Sequence, residues 1–488
     1  MKNKLGTQVA ILGGGVCGLY AALVLAKQGV SVIVIERETV PGGLGAGHRF
    51  GENYYDFGVH MLYEHDAEIL SDMCELMGDQ CIDVISDGKI RWANGFFRYP
   101  LQFKDMVRGI PPLTLVRCVA GLFVQELLNR LSPKPSNNAE QALIHLYGKP
   151  LYEYFFKDFT ERYWGLPPAQ LSATFIKQKM PRLSAVDVFK NMLSRIGIKA
   201  NKDQSVESAL VKETLHYSRT GAETMPRMMM QRIRELGGTV LLNAEVQQVR
   251  LNSGLRKISI LYHDTENKGP AEINSDYCIS TIALPEFIKT ITPRPPDSVT
   301  QAATALRYKA GVVHGLLVNR PKVLDSSYVY YRDRLFHRIS EPKNAGMHIN
   351  PSNHTVLIVE MTCEVGDEKW TNTDDIWRQL LGELNQEGLC NQDQVVEHHV
   401  IRNGHAYPIF DLGFETHLES CMTHLNDIPG LVSVGRQGGF CYPNMHGAMR
   451  MGADAADDIL QQLSKGQSHA DTEVIEETLP VFDAVAGR

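Results

Sequence analysis

The stretch from Val9 to Glu36 constrains this chain more than any other, because its residues stand in an order that few folds besides a dinucleotide-binding βαβ unit can use. A short apolar run, Val9-Ala10-Ile11-Leu12, predicts a strand and leads into Gly13-Gly14-Gly15-Val16-Cys17-Gly18. A helical pattern follows from Leu19 to Lys27, then Gly29, a second apolar strand from Val32 to Ile35, and an acid, Glu36, at its end. Gly13 permits the tight turn, Gly15 lets backbone approach a pyrophosphate, and Gly18 lets the helix pack closely. The helix N-terminus then faces the phosphates with free N–H groups and a positive dipole end, and Val16 and Cys17, just before it, are candidates for the cofactor contact. Glu36, 18 residues beyond Gly18, can accept hydrogen bonds from ribose hydroxyls and would repel a 2′-phosphate. Glycine turns alone are common. Strand, motif, helix, strand and acid in this order are specific.

At 488 residues the chain exceeds the usual size of one domain, so two interleaved or consecutive domains are expected. A net charge of -7 argues against a nucleic-acid partner. The cysteines, Cys17, Cys74, Cys81, Cys118, Cys278, Cys363, Cys390, Cys421 and Cys441, are dispersed without CxxC pairs. That pattern reads as reduced thiols of a cytoplasmic protein, with no metal site and no disulfide framework expected. No signal peptide is visible, and no run of about 18 apolar residues supports an integral membrane segment. The best membrane candidate, Ile110 to Leu131, is interrupted by Pro111, Pro112, Arg117, Gln125 and Glu126. Its spacing suits an amphipathic or half-buried helix, with core packing the preferred reading.

Three regions, 1–65, 217–290 and 431–465, are expected to return to the same cofactor as one discontinuous domain. The second carries a helix from Met225 to Leu236, a strand from Thr239 to Leu242, and alternating strands through Tyr262 that close on Tyr277 to Thr281. The third runs from the strand Leu431-Val432-Ser433-Val434 through Gly435-Arg436 to a helix beginning near His446. Residues 66–216 and 291–430 would form a second domain over the cofactor, and 466–488 a polar, flexible tail.

Pro41-Gly42-Gly43-Leu44 follows directly on the Glu36 strand, where a nicotinamide domain has no particular use for paired glycines. This stretch resembles FAD proteins of the amine oxidase and protoporphyrinogen oxidase type. The resemblance implies an α/β fold: a Rossmann-type (GR2-like) FAD-binding domain with an interleaved α+β substrate domain. It also implies FAD contacts from Arg37, Gly43 and Leu44, from Val246 beside the adenine, and from Gly435, Arg436, Met445 and Ala448.

Further segments resemble the UDP-galactopyranose mutases of the same superfamily. Asp56-Phe57-Gly58-Val59-His60 is similar to their Gly-x-His loop, which implies that Gly58 and His60 lie by the flavin near N5. A histidine viewed alone serves equally as a satisfied structural residue. Arg98-Tyr99-Pro100-Leu101-Gln102 resembles their Tyr-Pro-x-Gln stretch around uridine, so Tyr99 and Gln102 become candidates for stacking on and reading a base, although an ordinary loop fits them as well. Phe155 to Pro168, an aromatic-rich run containing Tyr163 and Trp164, is similar to a substrate-cleft wall and also suits plain core packing. Lys179 and Arg182 are candidates for substrate phosphate.

Tyr330 to Ser340 is dense in cations and reads as one strand, on which Arg332, Arg334 and Arg338 would share a face. Such a row can clamp a diphosphate, and the mutases place a phosphate-binding arginine here, best matched by Arg332; a salt-bridged edge strand is the competing reading. Gly435-Arg436-Gln437-Gly438 through Tyr442 resembles the mutase segment whose arginine and tyrosine reach the substrate diphosphate, and His405-Ala406-Tyr407-Pro408 resembles a substrate-side turn. Pro443-Asn444-Met445-His446 is shorter and less acidic than in the eukaryotic mutases, so sugar contacts do not carry over.

The resemblance implies interconversion of pyranose and furanose forms of a UDP- or dTDP-linked hexose. Reduced flavin N5 would act as nucleophile, His60, Arg332 and Arg436 as the catalytic set, and NAD(P)H as external reductant. An FAD-dependent oxidoreductase of the protoporphyrinogen or amine oxidase type stands as the alternative, served by an apolar cleft. A flavin-containing binding or assembly protein is a third reading, and a homo-oligomer is left open.

Overall fold

The computed structural model describes residues 8–85, 87–92, 95–99, 103–132, 134–174, 176, 214–252, 258–265 and 269–476. Its organising element is a five-stranded parallel sheet in the order Thr239–Leu241, Ser31–Ile35, Gln8–Leu12, Tyr277–Ser280, Leu431–Ser433. Strands from distant parts of the chain meet here, and the three inner ones are buried on both faces. Along Gln8–Leu12, Val9 and Ile11 pack with Leu19, Leu23, Met225, Met229, Met449 and Ile459. Ala10 and Leu12 point the other way, into a core with Phe287, Ile288, Phe414 and Leu425. A parallel strand covered on both sides reads as a continuous apolar run, which is why these strands are conspicuous in the sequence.

Helices cover the two faces of this sheet. Val16–Lys27, Thr224–Glu235 and the long helix Met445–Glu476 lie on one; Leu284–Thr290, Asp297–Ala305 and Phe414–Asn426 lie on the other. The Met445–Glu476 helix runs eleven residues into the stretch read from sequence as a tail, and 477–488 lie outside the described residues.

A seven-stranded sheet forms the second body, in the order Val395–Pro408, Tyr308–Val318, Thr355–Cys363, Arg338–Ser340, Tyr328–Tyr331, Lys89–Trp92, Gly95–Arg98. Its strand Tyr308–Val318 also divides its side chains. Val312 and Leu316 meet Ile376, Leu380 and Leu384 of the helix Thr373–Gln386, whereas Val313 and Leu317 meet Tyr55, Phe57 and Met61. A small sheet of Leu62–Tyr63, Thr214–Ser218 and Cys81–Ile85 lies between the two bodies in the chain path. Asp56, buried at the end of the strand Asn53–Asp56, ties that strand to the small sheet: it accepts hydrogen bonds from the Ala222 N–H at 3.0 Å and from the Tyr217 hydroxyl.

Two expectations are corrected. Tyr330 to Ser340 is not one strand: Tyr328–Tyr331 and Arg338–Ser340 are antiparallel partners, with Tyr330 opposite Arg338. The chain turns between them, closed by the Tyr331 N–H donating to the His337 carbonyl at 2.9 Å. Two-residue alternation holds only along unbroken strand, so the arginine row does not form. The second correction concerns the helix Pro112–Leu131, expected to pack in the core. It buries only Cys118 and Leu122, and leaves Leu113 and Leu131 75% and 73% exposed. Its apolar residues spread around more of the helix than its neighbours cover.

Close packing at the glycine turn gives a direct test. A Cβ on Gly18 would lie 2.2 Å from the Gly13 carbonyl oxygen and 3.0 Å from Ile11 Cγ2, both on rigid elements. Gly18→Ala is expected to destabilise the protein by about 1–3 kcal/mol in urea denaturation and to lower its flavin content.

Candidate functional site

The carboxyl ends of the parallel strands and the second body border one large cavity of about 2560 Å³. A pocket for a single drug-sized ligand is about 300–1,000 Å³, so a dinucleotide and a second molecule can share this one.

At one end the walls are backbone. Gly13, at φ +100°, donates its N–H to the Ile35 carbonyl at 2.9 Å. Thr281 Oγ1 braces the turn by donating to the Leu12 carbonyl at 3.0 Å. The paired glycines then meet this turn chain to chain: the Gly42 N–H donates to the Gly14 carbonyl at 2.7 Å. A Cβ on Gly43 would lie 3.2 Å from Gly15 Cα. Gly15 itself faces space, since a Cβ there would meet nothing closer than the Gly42 oxygen at 4.0 Å. Gly15 precedes the helix Val16–Lys27 and no side chain caps it, so the N–H groups of Val16 and Cys17 are presented at the cavity wall. This cradle, open where a side chain would fill it and formed at the start of a helix, fits a pyrophosphate.

Glu36 lies beside the turn, 8% exposed. Its Oε2 accepts from the Gly14 N–H at 2.6 Å and its Oε1 from the Glu38 N–H at 2.9 Å. Burial pushes its pKa up, against the lowering by those two hydrogen bonds. Arg37, Gly43, Leu44, Val246, Met445 and Ala448 also line the cavity. Gly18, Gly58 and Gly435 stand behind the wall. A Cβ on Gly435, at φ +83°, would meet Cys17 Sγ at 2.9 Å, and one on Gly58 would meet Glu360 Oε2 at 2.8 Å.

At the other end the lining is aromatic and cationic, with His60 between. The His60 Nδ1 is buried and has no hydrogen-bond partner among the described residues. Burial first, and then the charges of Arg338 and Arg436, push its pKa down to about 4, so the ring is neutral at pH 7. The arginines differ in their compensation. Arg338 donates to both oxygens of Glu360, at 2.5 and 2.6 Å, and to the Tyr330 hydroxyl at 3.1 Å. Burial works against its charge, but Glu360 outweighs it and holds the pKa well above the ordinary value. Arg334 is tied to Glu387, outside the cavity lining.

Arg332 and Arg436 are held by rings instead. The Arg332 guanidinium lies 3.2 Å from the Trp92 ring centroid, with Asp158 no closer than 4.0 Å; burial pushes its pKa down to about 10. Arg436 lies 4.1 Å from the Tyr442 centroid and 4.9 Å from that of Tyr407. Both have a buried Nε without a hydrogen-bond partner among the described residues. Tyr163 packs edge-on against Tyr407, and Trp164 against Tyr442, at centroid distances of 5.5 and 6.4 Å. Tyr99 reaches the far end of the cavity beside Tyr330, 5.3 Å away.

The structure thus brings His60, Arg332, Arg338, Arg436, Tyr99, Trp164, Tyr407 and Tyr442 to one cavity. Gln102, Lys179 and Arg182 lie outside the described residues. Sequence reasoning missed Glu360, Tyr330 and Trp92. Glu360 carried a signal, being a lone acid inside the apolar run Val356 to Thr362, where a buried carboxylate demands a cation. Trp92 carried none.

The family described as flavin containing amine oxidoreductase matches residues 16–460. Among curated proteins, the all-trans-retinol 13,14-reductase of Rattus norvegicus is 26% identical over 326 residues, 59% of this chain and 49% of its own length. A probable UDP-galactopyranose mutase of Klebsiella pneumoniae is 26% identical over 197 residues, 39% of this chain and 49% of its own. The chain spans about half the length of the curated relatives it matches. Among solved structures, reduced UDP-galactopyranose mutase superposes with a TM-score of 0.76 over 94% of both chains at 18% identity, which shows a shared mixed α/β fold.

The depressed His60 pKa has a sign that can be measured. With a folded value of about 4 against an ordinary 6.5, the unfolded chain takes up the proton first. His60 therefore lowers stability as pH falls from about 6.5 towards about 4, and has no such effect above that window. His60→Gln should flatten the pH dependence of the urea midpoint there; equal slopes for both proteins would show that His60 does not titrate in this way.

Proposed function

We propose, because the chain belongs to the flavin containing amine oxidoreductase family, that it uses FAD to interconvert the pyranose and furanose forms of a nucleotide-linked hexose. The observation that carries this reading is the pair Arg332 and Arg436, two guanidinium groups in the cavity of His60 that rest on aromatic faces. Among the described residues, neither has a bidentate carboxylate. Buried cations left with spare donors suit an anionic ligand, and a diphosphate accepts planar, charge-assisted pairs from arginine. Arg338, spent on Glu360, is a supporting residue in this scheme.

FAD in its reduced form would supply a nucleophilic N5, so the reaction is redox-neutral once an external reductant such as NAD(P)H has acted. The chain's own residues do the rest. Arg332 and Arg436 orient the diphosphate and stabilise the charge it gains as the anomeric C–O bond opens. Neutral His60 offers a hydrogen-bonding group without adding a third positive charge. Tyr99, with Tyr328 and Tyr330 around it, gives aromatic faces on which a base can stack.

One observation favours an oxidoreductase instead. Phe155, Phe156, Phe159, Tyr163 and Trp164 form an aromatic wall of the same cavity, and an apolar substrate donating hydride to FAD would need little more.

Anaerobic incubation of dithionite-reduced protein with UDP- and dTDP-linked furanoses, followed by chromatography, separates the two. The mutase reading expects the pyranose product with reduced protein and none with oxidised. It fails if no nucleotide sugar isomerises while an amine or a porphyrinogen rapidly reduces the flavin. Arg436→Ala is expected to weaken UDP binding about 10- to 100-fold, the loss of a charged hydrogen bond of about 1.5–3 kcal/mol, with FAD content unchanged. Parallel loss of FAD would assign that arginine to the cofactor.

A further inference from the structure

Away from the flavin cavity, Cys74, Cys81 and His216 each turn a ligand atom towards the others, all within 4.8 Å. They come from three elements: the helix Ala67–Met77, the first residue of the strand Cys81–Ile85, and the strand Thr214–Ser218. The short turn Gly78–Gln80 folds the helix end back so that the two sulfurs stand 2.8 Å apart. Pairing of Thr214–Ser218 with both Leu62–Tyr63 and Cys81–Ile85, with His216 opposite Leu62 and Asp83, brings the imidazole to the thiols.

We propose that Cys74, Cys81 and His216 bind a divalent cation of the zinc type. Two sulfurs and one imidazole are a soft donor set, which selects zinc or its late first-row neighbours over magnesium and calcium. His216 supplies a second, independent observation. Its side chain is 13% exposed, and both ring nitrogens are shielded from solvent without a well-aligned hydrogen bond among the described residues, standing only at ion-pair distance from carboxylates. The carboxylates of Asp83 and Glu64 stand 3.0 and 3.7 Å from Nδ1 and Nε2. Either can orient the ring while the other nitrogen ligates, as carboxylates do behind metal-bound histidines. A side-chain rotation of one of them, or a water, completes a tetrahedron.

The sulfur separation of 2.8 Å is longer than a disulfide bond of about 2.05 Å. It is shorter than the ~3.8 Å that two sulfurs keep on one tetrahedral zinc. Entry of the ion therefore parts the thiols by about 1 Å and releases their two protons to solvent, with no change in redox state. The ion would pin the helix Ala67–Met77 to the small sheet whose strand Leu62–Tyr63 begins two residues after His60. The proposal departs from the expectation of no metal site, which rested on the absence of CxxC spacing; here the third ligand lies far along the chain from the two cysteines.

The test uses the full chain with FAD content monitored. Chelator-treated, thiol-reduced protein is titrated with Co²⁺ and then Zn²⁺, and its cysteines are alkylated with and without Zn²⁺ and mapped by mass spectrometry. Expected are one equivalent of Co²⁺ with thiolate-to-cobalt absorption, its displacement by Zn²⁺, and protection of Cys74 and Cys81 alone among the cysteines. Cys74→Ser and His216→Ala should each abolish the absorption. Absence of the band, its persistence in Cys74→Ser/Cys81→Ser, or unprotected Cys74 and Cys81 would overturn the proposal. So would a Cys74–Cys81 disulfide that survives millimolar reduced glutathione. The alkylation map is read on the unaltered protein, so it stands even where a variant fails to fold.

Discussion

The meeting of two stretches of bare backbone holds this structure's chemistry in place. Gly14-Gly15 and Gly42-Gly43 touch through a parallel bridge of Gly15 with Gly42 that includes the Gly42 N–H to Gly14 carbonyl bond at 2.7 Å, with Cα atoms so close that a methyl group on Gly43 would press on Gly15. Gly18 allows the helix behind them the same closeness to the Gly13 carbonyl. Everything at the cofactor end follows from this approach: the position of the helix N-terminus, the clamp on Glu36, and the open surface over Gly15. Side chains contribute little there because the contacts are main chain to main chain.

At the other end the governing constraint is charge. A buried arginine needs compensation, and the cavity treats three arginines in two ways. Arg338 is neutralised by Glu360, while Arg332 and Arg436 lean on tryptophan and tyrosine rings. A ring face stabilises a guanidinium without consuming its N–H donors, so those donors remain for a ligand. Burial first, and then this positive field, keeps His60 neutral, since its protonation would place a further charge beside Arg338 and Arg436.

Local order made much of this readable in advance. Gln8–Leu12, Ser31–Ile35 and Tyr277–Ser280 are short apolar strands whose two-sided burial is written in their composition. The helix Thr224–Glu235 follows its periodicity to within a residue of expectation. The reading failed where partners are remote. From sequence, Arg332 and Arg338 look equivalent, yet one meets Trp92 and the other Glu360, on strands that become neighbours only in the sheet. The helix Pro112–Leu131 was assigned to the core on its spacing, though spacing reports an apolar face and not whether anything covers it.

The sequence by itself determined the βαβ cradle, because a turn, a helix start and a terminal acid are set by neighbours in the chain and by the conformations glycine allows. Only the tertiary structure decided which arginines remain unspent, and that Cys74 and Cys81 share a corner with His216. The physical reason is range. Backbone geometry is local, whereas charge compensation and ligand sets depend on residues that meet only after the sheets have formed.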